Sequence, residues 1–198
     1  VSTMQSIREL KIVTTFLIAY WLYIDGVDTM IRMSVDYGTS LGFSSSSLIT
    51  ALLMVQFIAF PATLAYGWFA GKIGIKNGIL VGIIGYAMIS ILGSMVSREW
   101  HFYALAALIA CFQGGIQALS RSLYSKIIPE SRSAEFFGFY NMFGKFAAII
   151  GPPLMGYIGL ITGNPRYGIL SIIILFIFGG YFLIKVDVEE GERLAREY

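Results

Sequence analysis

Asp25, Asp28, Arg32 and Asp36 fall within 12 positions of one largely apolar stretch. Their 3- and 4-residue steps place them on a single helical face. Carboxylates so spaced can carry protons or hold a cationic group, and the guanidinium one turn on can neutralise one of them. A proton-sharing acid–base dyad is the other chemistry open to Asp25 and Asp28, but Arg32 beside them favours ionised, paired carboxylates. Farther along, Gln56, Gln113, Gln117 and Lys145 also interrupt apolar runs.

These groups must be positioned by helices in lipid. The 198-residue chain is 57% hydrophobic and 13% charged, whereas a soluble domain carries about 25% charged residues. Its mean hydropathy is +0.73. A membrane-spanning helix needs roughly 20 mainly apolar residues, and six stretches qualify: 12–36, 47–70, 78–97, 102–125, 135–161 and 167–185. Short polar or glycine-rich connections make neighbours antiparallel. The predicted fold class is thus all-α, a polytopic bundle over 1–185, with a charged tail at 186–198 that stays in water. The chain opens on Val1 and has no signal-peptide pattern, which reads as a fragment of a longer protein.

Basic residues then set the orientation. With the N-terminus in the cytoplasm, ten Lys and Arg lie inside, Arg8, Lys11, Lys72, Lys76, Arg121 and Lys126 among them, against Arg98 and Arg166 outside. Both ends are expected in the cytoplasm.

A rise of about 1.5 Å per residue gives depth. Asp25, Gln56, Gln113 and Lys145 come out near one central layer, with Gln117 one turn away. The first, second, fourth and fifth helices therefore share a polar layer, while the third and sixth bring no charge to it. A charge near the bilayer centre costs about 2.5–3.5 kcal/mol, against a gain of only about 0.3–0.6 for each Leu, Ile, Phe or Val. The first helix must accordingly turn its charged stripe to protein or water. The four polar helices are expected to line a cavity, and the other two to face lipid.

Glycine and proline punctuate these helices. Gly114 and Gly115 interrupt the fourth, Pro61 the second, and Gly151-Pro152-Pro153 the fifth. Small residues allow close approach and mid-helix proline allows a bend, so these positions read as flexing points or as tight packing. Cys111 reads as a small core hydrophobe and His101 as a solvated loop residue. No nucleotide-binding, catalytic or metal-ligand motif occurs, so no cofactor or metal is expected, and the near-neutral charge balance gives no reason to expect nucleic acid.

The loop Gly67-Trp-Phe-Ala-Gly-Lys-Ile-Gly-Ile-Lys76 resembles the short basic signature that follows the second helix of each half of major facilitator superfamily transporters. Gly67, Lys72, Gly74 and Lys76 match it, and Gly71 stands where its acidic residue is expected. Asp25-Gly-Val-Asp-Thr-Met-Ile-Arg32, Gln113-Gly-Gly-Ile-Gln-Ala-Leu-Ser-Arg-Ser122, Glu135-Phe-Phe-Gly-Phe-Tyr140 and Gly144-Lys-Phe-Ala followed by Gly151-Pro resemble the autophagy-protein-22-like, vacuole-effluxer-like branch. The similarity covers nearly the whole chain and implies the C-terminal six-helix half of a secondary transporter, whose other half would be its partner together with membrane lipids and a small-molecule substrate. Under that reading Asp25 and Asp28 are proton or cation-substrate carboxylates, Lys145 is their counter-charge or a contact for a substrate carboxylate, Arg32 is a gate partner, and Gln56, Gln113 and Gln117 are polar contacts. A lipid or glycolipid flippase on the same fold, an intramembrane enzyme and a non-transporting scaffold are the rival readings.

Overall fold

The computed structural model describes residues 3–197, with side chains from Lys11 to Glu197; the expected cytoplasmic placement of the Arg8 side chain lies outside them. Ten α-helices and one 3-10 turn follow one another, with no strand among the described residues. They are α1 (Thr3–Arg32), α2 (Ser34–Ser40), α3 (Ser45–Ile73), α4 (Ile75–Ser94), α5 (Glu99–Lys126), α6 (Ser133–Lys145), α7 (Gly151–Thr162), α8 (Pro165–Ser171), α9 (Ile173–Ile184) and α10 (Val188–Arg196).

Helices α3, α4 and α5, and the α8–α9 pair, are long and apolar enough to cross a membrane. Of the six expected stretches, the first and the fifth are not among these four, and the fifth is broken by a non-helical segment. Residues 146–150 leave the helix between α6 and α7, and Ala148 takes a left-handed φ of 63°. Pro152 and Pro153 explain the break: each lacks an N–H and forbids the preceding turn, so a new helix starts at Gly151 with the prolines in its first turn. The 12 residues of α7 reach only about 18 Å, short of a hydrocarbon core about 30 Å thick. The first stretch ends at Arg32, and Met33 separates it from α2.

Packing follows the small residues. The backbone of Tyr23 on α1 lies against Gly179 of α9, and the Phe176 ring covers Gly26. Between α3 and α5, Thr63 and Tyr66 fill the space that side chains at Gly114 and Gly115 would need. Helix α5 runs without a break through both glycines. Pro61 likewise lies inside continuous α3.

The tail departs from the expectation of a solvated segment. Asp187 accepts from the Glu190 amide at 3.0 Å and caps α10, while Gly191 and Leu194 are buried. A Cβ at Gly191 would press on Ile127 and Ile12. The charges occupy one side of this short helix and the other side packs on the bundle.

Candidate functional site

Asp25 lies two turns before the end of α1 with no exposure, and its carboxylate is met from the interruption of the fifth segment. One oxygen accepts the amides of Ile149 at 3.0 Å and Ile150 at 2.9 Å; the other accepts the amide of Gly151 at 2.7 Å. The Thr29 hydroxyl, one turn on, donates at 3.4 Å. A helix start leaves its first N–H groups without intrahelical partners. In α7, Pro152 and Pro153 have none to leave, Leu154 already bonds to Ile150 at 3.0 Å, and Asp25 takes what remains. The negative charge also faces the positive end of the α7 dipole. Gly151 is required for this approach, because a Cβ there would overlap Thr29 Oγ1 and stand 2.8 Å from the carboxylate. Trp21, one turn before Asp25, donates from Nε1 to the Phe146 carbonyl at 3.0 Å. Both ends of the interruption are therefore tied to α1.

Lys145, expected as a counter-charge for Asp25, is exposed at the end of α6; backbone amides take the place foreseen for it. Asp28 and Arg32 do pair, at 3.8 Å, with side chains 23% and 67% exposed. A pair that open contributes about 0–1 kcal/mol, so it steers charge more than it stabilises. Near Asp28 runs an aromatic layer from three helices: Tyr20 stacks on Tyr140 at 4.3 Å, Tyr140 on Tyr124 at 5.0 Å, and Tyr124 on Phe16 at 5.6 Å. Arg121 lies over Phe137 at 5.4 Å.

Gln113 lines a cavity of about 50 Å³ between α1, α2, α3, α5 and α7, walled by Met30, Leu52, Val55, Phe102, Ile109 and Met155 among others. Its Oε1 is buried and accepts no hydrogen bond among the described residues. Gln56 and Gln117 are exposed on α3 and α5. The structure thus joins Asp25 to Gly151, pairs Asp28 with Arg32, and brings Gln113 into a cavity, while Gln56, Gln117 and Lys145 stay on the surface.

The expected loop shrinks to Gly74 between α3 and α4, and Lys72, in the last turn of α3, places Nζ 3.5 Å from the Trp68 ring centre. Lys76 donates to the carbonyls of Ile184 at 3.0 Å and Val186 at 2.7 Å, closing the end of α9, where the dipole favours a cation. Gly74 turns the chain at φ 91°; Gly67 and Gly71 would each accept a Cβ without contact.

Three contributors escaped the sequence reading. Thr29 and Trp21 flank Asp25 at single-turn spacing, a pattern visible in the sequence once the carboxylate is read as a bracket for backbone. Tyr86, fully buried on α4, has a hydroxyl without a hydrogen-bond partner among the described residues, and nothing in its neighbourhood along the chain announces that.

Comparison with known proteins gives these residues a family. The model of the vacuole effluxer Atg22-like family matches residues 1–196. YxiO of Bacillus subtilis strain 168, described as an uncharacterized MFS-type transporter, is 42% identical over 195 residues, which cover 98% of this chain and 46% of YxiO. Autophagy-related protein 22 of Cryptococcus neoformans strain JEC21 is 26% identical over 212 residues, covering 98% of this chain and 37% of its own length. The protein of that name from Kluyveromyces lactis is 25% identical over 202 residues, covering 96% and 41%. The chain spans less than half the length of these relatives. It belongs to the vacuole effluxer Atg22-like family.

Proposed function

We propose that this chain forms one half of a secondary transporter of the major facilitator type, working by alternating access on small organic solutes and coupled to protons. Six membrane-crossing segments, four continuous and two broken at Met33 and at 146–150, make up the half. Both ends are in the cytoplasm and the membrane is the prokaryotic plasma membrane, as suits the relative in Bacillus. Transport is outward.

One observation carries the reading. Asp28, Arg32 and Lys145 keep solvent-facing surface in a bundle that also exposes many Ile, Leu, Phe and Met side chains. At about 2.5–3.5 kcal/mol each, three such charges facing lipid would cost roughly 8–10 kcal/mol. They face water or the partner half instead, and a water-lined face between two halves is a substrate pathway. The Gln113 cavity beside it receives an uncharged part of the solute.

The test is flux through the full-length protein in proteoliposomes, with an imposed proton gradient and a panel of labelled amino acids and other small organic solutes. At least one solute should accumulate, a protonophore should abolish the gradient-driven part, and Asp28→Asn should slow it by about tenfold, the equivalent of 1.4 kcal/mol. No flux across the panel, or unchanged flux in both Asp28→Asn and Lys145→Ala, sinks the proposal.

A further inference from the structure

We propose that α5 and α6 wall an anion-binding cleft, in which Arg121, Gln117, Asn141 and Lys145 receive a carboxylate or phosphate group of the transported solute. The inference rests on the transporter reading for the solute but not for the cleft.

Two walls and a floor define it. At their shared end α5 and α6 touch: the Tyr124 hydroxyl donates to the Phe136 carbonyl at 2.9 Å, and the Arg121 guanidinium lies 5.4 Å from the Phe137 ring centre. Helix α1 lies against both, Tyr23 through its 2.6 Å bond with Ser120 of α5 and Tyr20 through its 4.3 Å stack on Tyr140 of α6. Farther along α6 the ring contact is again with α1, Phe143 against Trp21 at 6.3 Å. Beyond Tyr124, α6 thus follows α1, and a cleft opens between it and α5. Four-residue steps put Gln117 beside Arg121 on α5 and bring Asn141 and Lys145 into line with Phe137 on α6. All four polar side chains are exposed.

The exposed face of α5 differs from the faces of its neighbours. Helices α3, α4 and α9 expose Phe57, Phe60, Met88, Ile91, Ile177 and Phe178, whereas α5 exposes no large apolar side chain from Cys111 to Lys126. What it exposes there is Cys111, Gln117, Ala118, Arg121, Ser125 and Lys126. On α6 the large exposed side chains, Phe139, Met142 and Phe146, fall on the side opposite Phe137. Lys145 lies about 18 Å along α6 from Ser133, at about 1.5 Å per residue, well within a hydrocarbon core about 30 Å thick. A charge at that depth is costly in lipid, so the cleft holds water.

Its charges have one sign. Among the described residues neither Arg121 nor Lys145 has a carboxylate within ion-pair distance. The nearby carboxylates are engaged elsewhere: Asp28 with Arg32 at 3.8 Å, Glu135 with Arg132 at 2.9 Å, and Asp25 with the amides at the start of α7. The guanidinium offers a planar fork of donors, the ammonium three more, and each amide two. An anion accepts from all of them, whereas a cation meets two like charges. A lipid phosphate shares this chemistry, but Lys145 extends the donors into the depth of the bundle, where a solute passes.

The test is cysteine reactivity of the full-length protein in phosphatidylcholine nanodiscs. Ala118→Cys, exposed and one turn before Arg121, is the reporter, with the remaining cysteines, Cys111 included, replaced. Two water-soluble methanethiosulfonates of opposite charge, sulfonatoethyl and trimethylammonioethyl, are compared. Each rate is taken relative to that at Ser131→Cys, an exposed position before α6, in the same discs. Both reagents should react, and the anionic one should be favoured about tenfold, as in a cleft lined by one sign of charge. Arg121→Gln should reduce the preference and Arg121→Lys should keep most of it. Lys145→Gln, at an exposed position, should also reduce it and decides the matter if Arg121→Gln fails to fold. No reaction with either reagent places this face in lipid, and equal reaction leaves the cleft without selectivity; either overturns the proposal. A preference that vanishes when phosphatidylglycerol replaces phosphatidylcholine gives the site to lipid headgroups and overturns it as well. If the preference is found but no solute is carried in proteoliposomes, the cleft stands and the transport reading falls.

Discussion

The amide of Gly151 donates to the carboxylate of Asp25 at 2.7 Å, across 126 positions of chain. The contact places a helix start in the interior of a membrane bundle, where unbonded N–H groups cost several kcal/mol each. Two consecutive prolines remove part of that cost and one aspartate meets the remainder.

Gly151→Ala should therefore lower the stability of the folded protein by about 1–3 kcal/mol, the usual cost of overpacking a well-filled interior. Gly138→Ala is the control, since a Cβ there meets nothing within 4 Å. Thermal unfolding of both variants in detergent checks the difference; equal midpoints would mean that Thr29 and Asp25 yield without cost.

At the crossing of α3 and α5, Gly114→Ala drives a methyl group into the Thr63 side chain. The expected loss is again about 1–3 kcal/mol. Thr63→Ala should return part of it, because two residues in contact do not act independently. A double-mutant cycle on unfolding midpoints measures the coupling, and strict additivity would show that the helices part instead of the side chain yielding.

Two buried tyrosines should respond oppositely to loss of the hydroxyl. Tyr23 shares a 2.6 Å bond with Ser120, so Tyr23→Phe should cost about 1 kcal/mol, the net worth of such a bond. The Tyr86 hydroxyl has no partner among the described residues. Tyr86→Phe should leave stability unchanged or raise it by up to about 1–3 kcal/mol, the penalty of an unsatisfied buried group. A lower midpoint for Tyr86→Phe would contradict this.

Lys72 and Lys76 flank the turn at Gly74 but do not share a role. Lys76→Met removes the cation that closes α9 and holds Val186 just before α10. Amide hydrogen exchange over 186–196 should accelerate about tenfold, the equivalent of 1.4 kcal/mol. Lys72→Met gives up only an exposed contact with Trp68 and should leave that exchange unchanged.

Much of this was visible in the residue order, and the limits have physical causes. Apolar runs separated by short polar turns locate helices well, because lipid imposes one length on every crossing. The charged stripe of α1 and the Asp28–Arg32 pair follow from helical periodicity alone. Depth in the membrane, however, says nothing about direction around a helix axis. Gln56, Gln113 and Lys145 share a layer by count, yet only Gln113 enters the cavity. The partner of Asp25 was hidden for a different reason: it is backbone, and an amide N–H has no letter in a sequence. A reader searches for a lysine, and Lys145 was the obvious choice. What did point to the answer was the absence of donors at Pro152 and Pro153. The tail misled because its charges outnumber its three buried residues, Val186, Gly191 and Leu194.

The Asp25–Gly151 contact also bears on how such a chain is made. During synthesis Asp25 emerges 126 residues before the amide that will satisfy it. At about 5–20 residues per second the interval lasts roughly 6–25 s. For that time α1 cannot settle into its final place without carrying an unanswered charge into lipid. The segment carrying Asp25 must wait at the insertion machinery or at the water boundary until the segment carrying Gly151 arrives, so a helix made earlier is sealed only by one made later.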